Sequence, residues 1–147
     1  MARYITKVRT SRSSADAFAY MADLRNFAEW DPGVSKVVQV EGDGGGPDAV
    51  FDVTVRTGRR DLVLRYRTKE FEPTGNILVV AETSRMVSTD RVSVREQDGV
   101  RIVTYDADLR LKGLARFADP VLGLMFRRIG DRAGTGLSRV LDGEKVS

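Results

Sequence analysis

The chain has 147 residues, 41% of them hydrophobic, enough apolar material for one core in the size range of a single domain spanning 1–147. It contains no cysteine and no histidine, which excludes disulfides, thiolate nucleophiles, imidazole bases and the zinc sites built from them, leaving carboxylates, hydroxyls, phenols, lysine and arginine. Its 24 basic and 21 acidic residues give a net charge of +3 spread along the chain, the pattern of a solvated surface with no nucleic-acid partner.

The first residues, Met-Ala-Arg-Tyr-Ile, lead straight into an alternating segment, and the longest apolar run, Val121 to Phe126, is too short to cross a bilayer. No stable membrane insertion is expected, and the location expected is cytoplasmic. Tyr4, Ile5 and Val8 mark a first strand within 3–9. Ser13-Ser14-Ala15-Asp16 supplies a helix cap ahead of Ala17, Phe18 and Met21. A second short helix is predicted from about Asp23 to Trp30, with Leu24 and Phe27 on one side, ended by Asp31-Pro32-Gly33.

From Val34 the period becomes two, with turn chemistry at Gly42 to Pro47, Thr57-Gly58, Pro73 to Asn76 and Asp98-Gly99, which predicts an antiparallel meander. Phe51, Val53 and Val55 alternate with Asp52, Thr54 and Arg56, and Leu62, Leu64 and Tyr66 with Arg65 and Arg67. Val103, Tyr105, Ala107, Leu109 and Leu111 likewise share one parity, so each strand has an apolar and a charged face. The registers of Ile77 to Thr83 and Met86 to Glu96 stay open. The charged set Arg65, Arg67, Lys69, Arg91, Arg95 and Arg101 is expected on the outer face, without the interleaved aromatics of a nucleic-acid platform.

After Gly113 the period turns helical. Asp119 can cap and Pro120 can open a helix of roughly 30 Å running to about Leu141, its stripe formed by Leu122, Met125, Phe126, Ile129, Ala133, Leu137 and Val140. Gly123, Gly130 and Gly134 share one flank of it, although each costs roughly 1 kcal/mol relative to alanine. Three readings fit: a loosened surface, close approach by the sheet, or contact with a second copy in a homodimer.

One strand, two short helices, a run of hairpins and a long terminal helix predict an α+β fold of about seven strands, the sheet's apolar face buried against the helix stripe. The segment Phe18 to Gly33, FAYMADLRNFAEWDPG, resembles the two-helix segment of the START-like (SRPBCC, Bet v 1-like) superfamily, particularly its polyketide cyclase/dehydrase and lipid-transport branch. Val103-Thr104-Tyr105-Asp106, Leu109 to Gly113 and Asp131 to Leu137 are similar to that branch as well, so the likeness covers nearly the full chain. The resemblance implies a helix-grip fold whose curved sheet wraps the terminal helix and leaves a hollow with its mouth near the short helices. Members of the superfamily hold lipids, sterols, polyketides or plant metabolites, and some catalyse cyclisation or dehydration.

The lining expected on this basis comprises Phe51, Val53, Leu64, Tyr66, Tyr105 and Leu109 from the sheet, Val121, Met125 and Ile129 from the helix, and Trp30 at the mouth. Tyr66 and Tyr105 stand out, because a buried phenol needs a hydrogen-bond partner that a ligand oxygen or the protein itself can supply. Glu70, Glu82, Asp90 and Glu96 are the carboxylates whose strand parity could turn them inward, where burial would raise their pKa toward that of a proton-transfer group. No catalytic residue, metal or cofactor is assigned, and the sequence shows no evident cluster of buried Arg, Ser, His or Asp like that of cyclising enzymes. The sequence therefore predicts noncatalytic binding or carriage of a hydrophobic small molecule such as a lipid, sterol-like compound or polyketide. The alternatives are a cyclase or dehydratase using a phenol and an inward carboxylate, and an interaction module using the glycine flank.

Overall fold

The computed structural model describes residues 2–56, 60–113 and 119–146, with the side chains of the last segment described from 127 onward. Strand β1 (Ala2–Thr10) leads into α1 (Ser14–Ala22), a single 3₁₀ turn (Leu24–Asn26) and α2 (Phe27–Trp30). The meander follows as β2 (Val34–Glu41), β3 (Val50–Arg56), β4 (Asp61–Glu72), β5 (Asn76–Glu82), β6 (Met86–Gln97) and β7 (Val100–Leu111). Helix α3 (Asp119–Val140) and a short β8 (Gly143–Lys145) complete the chain. One sheet of eight strands runs in the order β2-β3-β4-β5-β6-β7-β1-β8, every neighbouring pair antiparallel.

Local chemistry sets the boundaries. The Ser13 hydroxyl accepts from the Asp16 amide at 3.1 Å and starts α1. Asp23 takes an extended conformation and accepts from the Arg25 amide at 3.1 Å, so the helix expected from Asp23 begins as a 3₁₀ turn before α2. Asp98 and Gly99 both have positive φ, +56° and +78°, the geometry of a tight two-residue hairpin between β6 and β7. The turn expected at Thr57-Gly58 lies outside the described residues. The eighth strand exceeds the expected seven: β8 pairs with Val8 to Thr10 along the far side of β1. At the opposite margin β2 pairs with β3 through two register shifts, between Val34 and Lys36 and between Gln39 and Glu41.

Alternation places Tyr4, Thr6, Val8 and Thr10 of β1 inward, with Phe51 and Val53, Ile77, Val79 and Ala81, Val92 and Val94, and Val103 on successive strands. Full burial of a large apolar side chain such as Phe51, Met21 or Leu137 contributes about 1.5–3 kcal/mol. On the outer face Arg65 pairs with Asp52 and Arg91 with Glu70, exposed contacts that water and salt screen. Arg101 departs from its expected place: it shares the parity of Val103 and donates to the Ser11 and Arg12 carbonyls, tying the start of β7 to the β1–α1 connection. No helix among the described residues is long and apolar enough to cross a membrane.

Helix α3 starts and stops one residue before the expected bounds. Its second half buries Ala133 and Leu137, with Leu141 just beyond, but Ile129 on the same stripe is 41% exposed. The side chains of Leu122, Met125 and Phe126 lie outside the described residues, as does whatever faces Gly123. The glycine flank is filled from within. A Cβ on Gly130 would enter the Tyr4 ring, and one on Gly134 would come within 2.9 Å of the Tyr4 hydroxyl and 3.1 Å of Thr6 Oγ1. Two residues on, a Cβ on Gly136 would collide with the Trp30 carbonyl oxygen. Of the three readings of the flank, close approach by the sheet is the one found at Gly130 and Gly134, and that surface is not open to a partner.

Gly136→Ala tests the packing because propensity and sterics oppose each other: alanine gains roughly 1 kcal/mol in a helix interior, while forcing α3 away from a backbone carbonyl costs about 1–3 kcal/mol. A lowered urea midpoint is expected; an unchanged or raised one overturns the close contact.

Candidate functional site

The inner face of the sheet carries polar groups at its centre. On β6, Ser88 and Asp90 occupy successive inward positions ahead of Val92 and Val94, and both are buried, Asp90 to 5% exposure. Each meets a phenol from another strand. Tyr66 on β4 lies beside Ala81 of β5, which in turn lies beside Ser88. The small alanine leaves room for the phenol to cross, and the Tyr66 and Ser88 hydroxyl oxygens are 2.6 Å apart. From the other side Tyr105 on β7, opposite Val92, reaches diagonally and donates to Asp90 Oδ2 at 2.7 Å.

Burial raises the Asp90 carboxyl from 3.8 to about 7, with the Tyr105 hydroxyl pulling it back and the nearby negative charges of Asp31 and Asp106 adding to the rise. Asp31, beside α2, is also raised by burial, partly offset by the Gly33 amide that donates to its Oδ1 at 2.8 Å. Both phenols stand well above their ordinary value, first through burial and then through the Asp90 charge. Near neutral pH the phenols therefore stay protonated, and Asp90 is the group whose charge changes. No lysine or arginine among the described residues is buried.

Helix α2 covers this face with aromatic rings. Trp30 meets Tyr105 edge-on at 5.2 Å between ring centroids and 80°, while Phe27 lies 4.8 Å from Trp30 and 6.0 Å from Tyr105. Such contacts contribute about 0.5–1.5 kcal/mol beyond the area they bury. Trp30 is 2% exposed, yet its Nε1–H has no acceptor among the described residues. A buried indole donor ordinarily has one, so this unmet donor calls for a partner.

The residues named from sequence separate into groups. Tyr66, Tyr105 and Trp30 converge on the polar centre, while Phe51, Val53 and Leu64 are buried core on β3 and β4. Leu109 is half-buried, next to Ser88 in register, and Met86 and Leu111 beside them are half-buried too, giving the inner face an apolar end. Ile129 is not brought into this group: it leans on the α2–β2 turn, its Cγ2 3.6 Å from where a Cβ on Gly33 would sit, and the turn covers only part of it. Val121 and Met125 belong to α3, but their side chains lie outside the described residues. Of the four carboxylates only Asp90 is buried. Glu70 and Glu82 are exposed in ion pairs with Arg91 and Lys112, and Glu96 accepts from Ser14 at 2.9 Å. Ser88 was missed, and with Asp90 it corrects the expectation that no Ser or Asp cluster is buried. The available signal was that both share the parity of Val92 and Val94.

A carboxyl whose pKa is raised on folding binds its proton better in the folded chain. Its stabilising contribution is full below about pH 4 and is lost as pH rises toward about 7, by up to about 1.4 kcal/mol per unit. Asp31 acts in the same direction. Urea unfolding between about pH 5 and about pH 8 should show a decline in stability that is shallower in Asp90→Asn. Equal slopes in the two proteins would show that Asp90 is not held in a raised state.

The model of the family described as polyketide cyclase / dehydrase and lipid transport matches residues 1–142. The chain has no significant match among curated proteins. Among solved structures it is similar to a START superfamily protein from Mycobacterium smegmatis, with a TM-score of 0.74 and 12% identity over 97% of this chain and 98% of that one. TTHA0849 from Thermus thermophilus gives 0.74 at 8% identity, over 95% of each chain. The Zhui aromatase/cyclase from Streptomyces sp. R1128 gives 0.72 at 14% identity, over 95% of this chain and 93% of that one. At such identities the likeness shows the fold, a curved antiparallel sheet gripping a C-terminal helix. With that fold in hand and the family model running from residue 1 to residue 142, the chain belongs to the polyketide cyclase / dehydrase and lipid transport family.

Proposed function

We propose that the chain binds a hydrophobic small molecule of the lipid, sterol-like or polyketide kind between the inner face of the sheet and α3. The observation that carries this reading is the Trp30 Nε1–H, without an acceptor among the described residues and packed on a tyrosine that is itself tied to a buried acid. A ligand oxygen would satisfy the indole, and the half-buried Met86, Leu109 and Leu111 would take its apolar body. Affinity would come mainly from apolar burial, at about 25 cal/mol per Å², with the few polar atoms fixing orientation. Val121 and Met125 would contribute from the helix side.

Native mass spectrometry of freshly purified protein should show a one-to-one adduct, identifiable after organic extraction. Leu109→Trp, which fills the apolar end, should lose it while keeping a cooperative urea transition. An unshifted protein across a panel of lipids and polyketides would remove the binding reading.

Asp90 favours a second reading, an enzyme of cyclase or dehydratase type. A carboxyl poised near neutrality can take an α-proton from a ketone and return it to a departing hydroxyl, which leaves as water, while a phenol hydrogen-bonds the carbonyl. On this reading the identified ligand is converted by the native chain, and Asp90→Asn lowers kcat by about 100-fold or more with KM changed only a few-fold. Recovery of the ligand unaltered after prolonged incubation would leave carriage as the function.

A further inference from the structure

We propose that the site selects uncharged, oxygen-bearing hydrophobes and rejects their carboxylate counterparts; this rests on the binding reading above. The inner-face groups form a one-sided inventory. Tyr66 on β4, Asp90 on β6, Tyr105 on β7 and Asp31 beside α2 are all acids, and all four sense one another electrostatically. Around Asp90 the cations are held outward, Arg65 by Asp52, Arg91 by Glu70 and Asn76, and Lys112 by Glu82; Arg56, Arg132 and Arg139 border a surface concavity with Asp31 and Trp30, where all three are exposed and Arg139 donates to the Glu29 carbonyl.

What the face can give a ligand is neutral. The Tyr66–Ser88 pair uses one hydroxyl hydrogen for its mutual bond and keeps the other to donate. Trp30 Nε1–H has no acceptor among the described residues. Tyr105 is already committed to Asp90 Oδ2, which leaves Oδ1 to accept. A ligand hydroxyl can both donate and accept here, and a ketone or ester can accept. A carboxylate would instead bring a second negative charge to Asp90 with no buried cation among the described residues to offset its lost hydration, a combination that favours keeping one of the two acids protonated.

Displacement of Nile red, an uncharged probe, tests this with matched ligands at about pH 8, where free carboxylates are ionised. The set is dodecanol, methyl dodecanoate and dodecanoate, with methyl naphthoate and naphthoate as a rigid pair. We expect each acid to bind at least about 10-fold more weakly than its ester, equivalent to about 1.4 kcal/mol. In Asp90→Asn that ratio should narrow, and Asp31→Asn gives the same readout should the first variant fail to fold. Acids within about 3-fold of their esters would overturn the selectivity while leaving the site intact. Failure of Nile red and every ligand to bind would overturn the site itself, and the selectivity with it.

Discussion

Everything in this fold depends on how closely α3 can lie against β1. Side chains on that flank would hold a helix and a sheet about 10 Å apart; Gly130 and Gly134 let the Tyr4 ring and the Thr6 hydroxyl into the space they vacate. Gly136 does the same for the backbone at Trp30. The helix is thus seated on β1 by side chains set into its glycine gaps, and on α2 by direct backbone approach at Gly136. That contact sets where α2 lies, and so where Phe27 and Trp30 meet Tyr105. The glycines weaken α3 as an isolated helix, and tertiary packing offsets the loss.

The second constraint is the placement of an acid in the centre of an apolar face. Burying a carboxylate without a cation is unfavourable enough that the group shifts its pKa instead, which is what Asp90 does. A core optimised for stability alone would carry valine or leucine at Ser88 and Asp90. Retaining both, each joined to a phenol, exchanges packing energy for two fixed hydrogen-bonding directions. A polar centre flanked by an apolar end is the arrangement that the proposed binding of a small molecule would use.

The framework was legible wherever one parity was cleanly apolar. Phe51 and Val53, Leu64 and Tyr66, and Val103 and Tyr105 could be assigned inward because charged residues held the alternate positions. The Ser13 cap and the Asp98-Gly99 hairpin could be read because few conformations suit those residues. Strand β6 was harder to read: in MVSTDRVSVREQ Met86, Val92 and Val94 share one parity, but Ser88 and Asp90 interrupt it and Val87 lies on the other, so the alternation is weak. Only the registers across β4, β5 and β6 bring Tyr66 over Ala81 to Ser88, and no single strand encodes that meeting. Ile129 fits the helical stripe but rides over a turn instead of the sheet, a distinction that periodicity cannot make. β8 was missed because Gly-Glu-Lys has no apolar pattern and owes its conformation to β1.

The two margins of the sheet differ in a way that bears on solubility. β8 pairs with Val8 to Thr10, so at that margin part of β1 is covered and the outermost strand is only three residues long. The other margin, β2, exposes Val38 and Val40, a sequence that in a flat, regular strand would invite another copy to add on. Its two bulges break the even spacing of amide and carbonyl groups along the strand. A misfolded neighbour seeking a long, straight template finds a three-residue strand along part of one margin and a strand out of step at the other, features that oppose edge-to-edge growth in an open sheet that does not close into a barrel.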